Sequence, residues 1–95
     1  MSKKQAYEQK FQAQFDEWSA EIDKLKARAE RADADAQITY HEEVDKLRAR
    51  QDEMNQKLKE LKDTGDDAWG DIVAGVESAQ SALGNALRSA RSRFN

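Results

Sequence analysis

No proline interrupts this chain, no cysteine occurs in it, and four glycines and a single histidine are spread over its 95 residues. Without proline, nothing in the sequence is obliged to break a helix. Without cysteine, disulfides and thiol chemistry are excluded. β-branched residues are few and never alternate with period two, so a sheet has no signal. No apolar run approaches the roughly 18 residues needed to span a bilayer. The formal net charge of −3 argues against a general nucleic-acid binder, whose footprint would be basic. The opening Met1-Ser2-Lys3-Lys4-Gln5 leads into charged residues rather than an apolar signal core, and a cytoplasmic protein is expected.

What the chain does hold is helix-forming sequence. Hydrophobic residues make up 38% and charged residues 37%, a balance suited to exposed helices rather than a thick core. Alanine, glutamate, lysine, glutamine, arginine and aspartate dominate, so a single all-α domain is expected. A chain this short has difficulty burying enough apolar surface alone, which points to self-association.

The organising feature is an apolar stripe. It comprises Phe15, Trp18, Ile22, Leu25, Ala29, Ala32, Ala36, Tyr40, Val44, Leu47, Gln51, Met54, Leu58 and Leu61. Steps of three and four residues keep all of these on one face of a 3.6-residue helix, and only Gln51 is polar. Ser2 and Gln5 form a capping-box signature ahead of it, with Tyr7 and Phe11 leading in. On the outward face Glu42 precedes Lys46, and Glu53 precedes Lys57, by four residues. Each such pair supports an exposed helix by about 0.2–0.5 kcal/mol.

Between Ala27 and Ala36 the stripe narrows to alanine, interleaved with Arg28, Glu30, Arg31, Asp33 and Asp35. The helix either continues through this segment or opens into a tight turn there. Alanine's propensity and the lack of turn residues favour continuity, predicting one helix over 2–62. Gly65 then reads as the left-handed residue that ends it, within a turn over 63–66. Asp66 and Asp67 suit the start of a second helix over 66–94. Its apolar face holds Trp69, Val73, Val76, Leu83, Leu87, Ala90 and Phe94, with Ile72 alongside and Gln80 filling one position.

A helix over 2–62 would be about 90 Å long and its partner about 43 Å. The short helix would then cover only half of the long one, leaving Phe11, Phe15, Trp18, Ile22 and Leu25 uncovered. An antiparallel homodimer crossing near Ala32 would cover them; a turn near Ala34 closing a three-helix bundle is the alternative. In the dimer Ile22 faces Leu47, Leu25 faces Val44, Ala29 faces Tyr40 and Phe15 faces Met54. Trp18 would fill the gap at Gln51. The expected architecture is a long helix plus a shorter one in an antiparallel hairpin, with coiled-coil or three-helix-bundle packing completed by dimerisation.

Candidate chemistry is sparse. His41 and Asp45 are four apart and could share a metal, but no second histidine, cysteine or Glu-x-x-His pair accompanies them. No catalytic residue, metal ligand or cofactor site is expected. The second helix is the more distinctive element, with a polar face of Ser78, Ser81, Gly84, Asn85, Ser89 and Ser92 and charge only at Arg88, Arg91 and Arg93. That weakly charged face opposite Val, Leu and Phe resembles amphipathic lipid-packing sensors, which makes a membrane surface one candidate partner. The structural alternative is that Gly75, Ala79, Ala82 and Ala86 form a small-residue face for close helix packing.

The opening from Lys3-Lys4-Gln5-Ala6-Tyr7 through Phe15-Asp16-Glu17-Trp18-Ser19-Ala20-Glu21-Ile22-Asp23-Lys24-Leu25-Lys26-Ala27-Arg28, and the tail from Gly65 to Ile72, Gly75 to Ala79 and Ser92 to Phe94, resemble a group of small bacterial coiled-coil proteins of unknown function. The resemblance covers nearly the whole chain and implies a helical fold but no particular activity. More loosely, the charged amphipathic helices are similar to apolipoprotein-like and desiccation-protective proteins. The function these features predict is a non-enzymatic structural or interaction protein, forming a homo-oligomeric bundle and with room for a further protein partner. A peripheral membrane-surface or stress-protective role acting through the second helix is the alternative.

Overall fold

The computed structural model describes residues 2–65 and 67–94, and these form three helices in an up–down–up bundle. Helix α1 spans Lys3–Arg31, α2 spans Ala34–Asp63 and α3 spans Trp69–Arg93. All three elements pack against one another, in a body of 51 × 19 × 18 Å. Helices α1 and α3 run parallel, as Tyr7 meets Trp69 at one end and Arg28 meets Phe94 at the other. Helix α2 is antiparallel to both.

The capping box forms as the sequence indicates. The Gln5 N–H donates to Ser2 Oγ at 3.1 Å, and the Ser2 N–H donates to Gln5 Oε1 at 3.0 Å. The two satisfy each other's otherwise unpaired donors at the helix start.

The expected continuous helix over 2–62 is corrected. It divides at Ala32 and Asp33, both extended, with ψ of 163° and 167°. Asp33 becomes the N-cap of α2, accepting the Ala36 N–H at 3.1 Å. Gln37 Nε2 donates to the carbonyl of Glu30 at 3.0 Å, occupying an acceptor left free at the end of α1. Alanine propensity across this segment is worth only tenths of a kcal/mol per residue. Covering the aromatic half of α1 is worth far more, at about 1.5–3 kcal/mol for each large apolar side chain. Tertiary burial therefore overrides local preference.

The second boundary also differs from expectation. Helix α2 runs to Asp63, and Thr64 is its C-cap with φ −78°, its Oγ1 donating to the Glu60 carbonyl at 2.6 Å. Gly65 does not adopt a positive φ, because an extended Thr64 already ends the helix. Helix α3 begins at Trp69, three residues later than expected. Its N-cap Ala68 makes no side-chain capping bond, and the expected role of Asp66 lies outside the described residues.

One core runs the length of the bundle. Phe11, Ile22, Leu25 and Ala29 from α1 meet Val44, Leu47, Met54, Leu58 and Leu61 from α2, and Val73, Val76, Leu83, Leu87 and Ala90 from α3, with Phe94 closing one end. Phe15, Trp18, Tyr40 and Trp69 are partly buried against it. Ala32 and Ala36 are half-buried on either side of the turn rather than lying on a crossing seam. The face that needed a second chain under a continuous helix is covered by the chain's own α2 and α3, with Phe11 fully buried and Ile22 only 1% exposed.

Candidate functional site

The antiparallel register of α1 on α2 is close to that read for two long helices, now within one chain. Gln51, the polar gap in the stripe, donates from Nε2 to Ser19 Oγ at 2.8 Å. Trp18 therefore does not fill that gap, and the expectation is corrected. Its indole turns to α3, where a Cβ added at Gly84 would lie 3.0 Å from Cη2. Glycine leaves the hollow that the ring occupies. Gly84 thus belongs to the packing of α1 on α3, not to a free polar face.

The remaining small residues of α3 line open surface. Gly75, Ser78, Ala79 and Ala82, with Arg50, Glu53, Gln56 and Lys57 of α2, bound a shallow groove of about 270 Å³. A second hollow of about 410 Å³ lies between Lys46, Ala49, Arg50, Glu53 and Ala86. Ala79 and Ala86 also pack on the core. The small-residue face thus brings α3 close to α2 and leaves a groove with charged walls along their junction.

The acid–base pairs on α2 are not those expected from four-residue spacing. Lys46 pairs with Glu43 at 3.6 Å rather than with Glu42, and Glu53 pairs with Arg50 at 3.2 Å rather than with Lys57. Lys57 instead pairs with Glu60 at 3.7 Å. A three-residue step brings helical neighbours together as readily as a four-residue one.

Glu43 is the buried charge that sequence reasoning missed, only 7% exposed. Its Oε1 lies 3.2 Å from Arg93 Nη1 as well as 3.6 Å from Lys46 Nζ. The partners keep most of their own surface in water, so the carboxylate is paired without stranding two cations. Beside it, Phe94 stacks on Tyr40 with ring centroids 4.3 Å apart, and Arg28 Nη2 donates to the Phe94 carbonyl at 2.6 Å. The Arg28 guanidinium also lies 5.9 Å from the Phe94 ring centroid. Arg91 pairs with Glu21 of α1 nearby. The three arginines near the end of α3 thus divide their work. Arg91 and Arg93 tie α3 to α1 and α2, and Arg88 reaches Asn85 on its own helix at 3.4 Å. The one signal for Glu43 was its place beside Val44 on the stripe's edge.

At the opposite end Tyr7 stacks on Phe11 at 6.0 Å and tilts against Trp69 at 5.8 Å. Lys10 Nζ lies 6.0 Å from the Tyr7 centroid, and a shallow hollow lies between Lys3, Ala6, Tyr7 and Lys10. His41 and Asp45 are both exposed on α2. Among the described residues no group of three or more histidine, cysteine or acidic side chains is placed to hold a metal ion, and no helix is long and apolar enough to cross a membrane.

Comparison of the chain with protein-family models, curated proteins and solved structures returns no match.

Proposed function

We propose that this protein is a non-enzymatic structural or interaction protein whose working part is the folded bundle. The observation that carries this reading is that most of the apolar stripe of α1 and α2 packs with the apolar face of α3 into one core, from Phe11 to Phe94. What remains for contact with other molecules is the outer surface, including the groove with charged walls between α2 and α3. A bundle that is already folded suits recognition of a partner at little ordering cost. Site-specific photo-crosslinking in cells tests this, with the probe placed in turn at Ala82 in the groove, at Ala49 in the hollow beside it, and at exposed Ala13 of α1. A discrete adduct at Ala82 and Ala49 and none at Ala13 is the expected result. Absence of adducts at all three would remove the reading.

A peripheral membrane role through α3 is supported by its Ser-rich outer face, with Ser78, Ser81, Asn85, Ser89 and Ser92 exposed. It would require α3 to leave the bundle, because Val76, Leu83 and Leu87 are at most 1% exposed. Liposome flotation with a Val76→Asp control separates the two readings. Binding that this substitution leaves intact does not use the apolar face of α3.

A further inference from the structure

We infer that the turn at Ala32–Asp33 is a hinge, and that the bundle exchanges α1 with a second copy of this chain when the hinge straightens into helix. The inference extends the reading of the bundle as an interaction unit, naming one partner as the chain itself. Three observations point to it. The break consists of two extended residues with no glycine, no proline and no positive φ among the described residues. Nothing in the backbone there forbids a helix, and the flanking residues from Ala27 to Ala36 are alanine and charged residues that favour one.

Two side-chain bonds then hold the bend: the Asp33 carboxylate on the Ala36 N–H, and the Gln37 amide on the Glu30 carbonyl. Neither is buried. Both are lost on straightening, and the helical hydrogen bonds across residues 29–37 take their place.

The third observation is register. In the monomer Ser19 meets Gln51, and Gln12 meets Lys62, across an antiparallel pair. Two straightened chains running antiparallel bring each α1 onto the other's α2 with those same pairs. The copies would cross at the alanine segment, where Ala29, Ala32 and Ala36 let two backbones approach. Every core contact that α1 makes would be remade between chains, while α2 and α3 stay packed within each chain, as in domain swapping. The dimer thus differs from two monomers chiefly at the hinge, so the hinge sequence sets the balance. A short turn of helix-forming residues between two packed helices is a known route to such exchange.

Two substitutions push the hinge in opposite directions. Ala34→Pro suits the bent form, because residue 34 is the first residue of α2 and Asp33 before it is already extended. The same proline lies in the middle of the straightened helix, where it is strongly disfavoured. Asp33→Ala removes the cap from each of the two bent chains that would form a dimer, and raises helix propensity across the hinge. It is expected to shift the equilibrium toward dimer by about thirtyfold, the product of one lost cap per chain.

The experiment refolds the full chain, each variant and wild type at low micromolar and at millimolar concentration, followed by sizing with light scattering. Cysteines introduced by Gln12→Cys and Lys62→Cys, joined by a short bismaleimide, then report which chain supplies α1. The expected result is a concentration-dependent dimer that Asp33→Ala enriches, Ala34→Pro abolishes, and the bismaleimide links between chains. A dimer linked only within chains, or one formed equally by Ala34→Pro, would overturn the inference, as would folded Asp33→Ala remaining monomeric at millimolar concentration. If Asp33→Ala fails to fold, the comparison of wild type with Ala34→Pro still decides. Failure here leaves the groove crosslinking test untouched, so the two readings fall separately.

Discussion

The Trp18 indole lies against the backbone of Gly84, so closely that a methyl group there would sit 3.0 Å from Cη2 and 3.3 Å from Cζ2. This contact sets how near α1 and α3 approach midway along the bundle. It also distinguishes Gly84 from Gly75, where an added Cβ meets only Lys57 Cδ at 3.7 Å. Gly75→Ala should stabilise the protein by about 0.5–1 kcal/mol, since helix propensity improves and nothing is displaced. Gly84→Ala should gain less than Gly75→Ala, and Gly84→Val should destabilise by about 1–3 kcal/mol as the ring is pushed from its place. Urea unfolding of the three variants checks the order.

The Gln51–Ser19 bond predicts an asymmetry. Ser19→Ala leaves the half-buried Gln51 amide without its partner and should cost about 0.5–1.5 kcal/mol. Adding Gln51→Leu to Ser19→Ala should recover most of that loss, because two apolar side chains then face each other. Thermal unfolding of the single and double variants reads this directly. Equal stability of Ser19→Ala and wild type would mean the pair contributes little.

Around Glu43 the expected coupling is modest. Its carboxylate is buried, but Arg93 and Lys46 remain more than half exposed, which screens the pair. A double-mutant cycle with Glu43→Gln and Arg93→Gln should give a coupling of about 0.5–1 kcal/mol, weakened by salt. The fully surface pair Arg50–Glu53 should give less in the same cycle.

Phe94 closes the core against Tyr40 and Arg28, and it is 3% exposed. Phe94→Ala should cost about 3 kcal/mol and speed amide exchange in the last turns of α3 more than elsewhere. Hydrogen exchange by mass spectrometry locates the effect. Uniform acceleration along all three helices would place the loss in global unfolding instead.

Much of this architecture was legible in the sequence, because side-chain period reports directly on buried faces. The stripe residues from Phe11 to Leu61 lie on the inward side of α1 and α2, and Trp69 to Leu87 on that of α3, with Phe15, Trp18, Ala32, Ala36, Tyr40 and Trp69 only partly covered. At Ala32–Asp33 the local sequence favours a continuous helix, whereas the structure turns there. The turn's residues have helical propensity, and only the energy of covering Phe11 and Ile22, a long-range quantity, decides against them. Trp18 was matched to Gln51 by a two-helix register that leaves out the third helix. By sequence Gly84 falls on the polar face of α3, and only the fold brings Trp18 of α1 against it. Ile38, 65% exposed one turn into α2, has no role that the packing explains.

The most direct test of the central claim is small-angle scattering with mass determination at low micromolar concentration. A break at Ala32–Asp33 gives a folded single chain with a radius of gyration close to the 15.3 Å of the Cα atoms, and Ala34→Pro leaves the profile unchanged. A continuous helix over 2–62 gives a two-chain mass and a radius of about 26 Å, that of a rod about 90 Å long, and Ala34→Pro disrupts it. The first result is expected; the second would contradict the three-helix bundle as the folded form of the single chain.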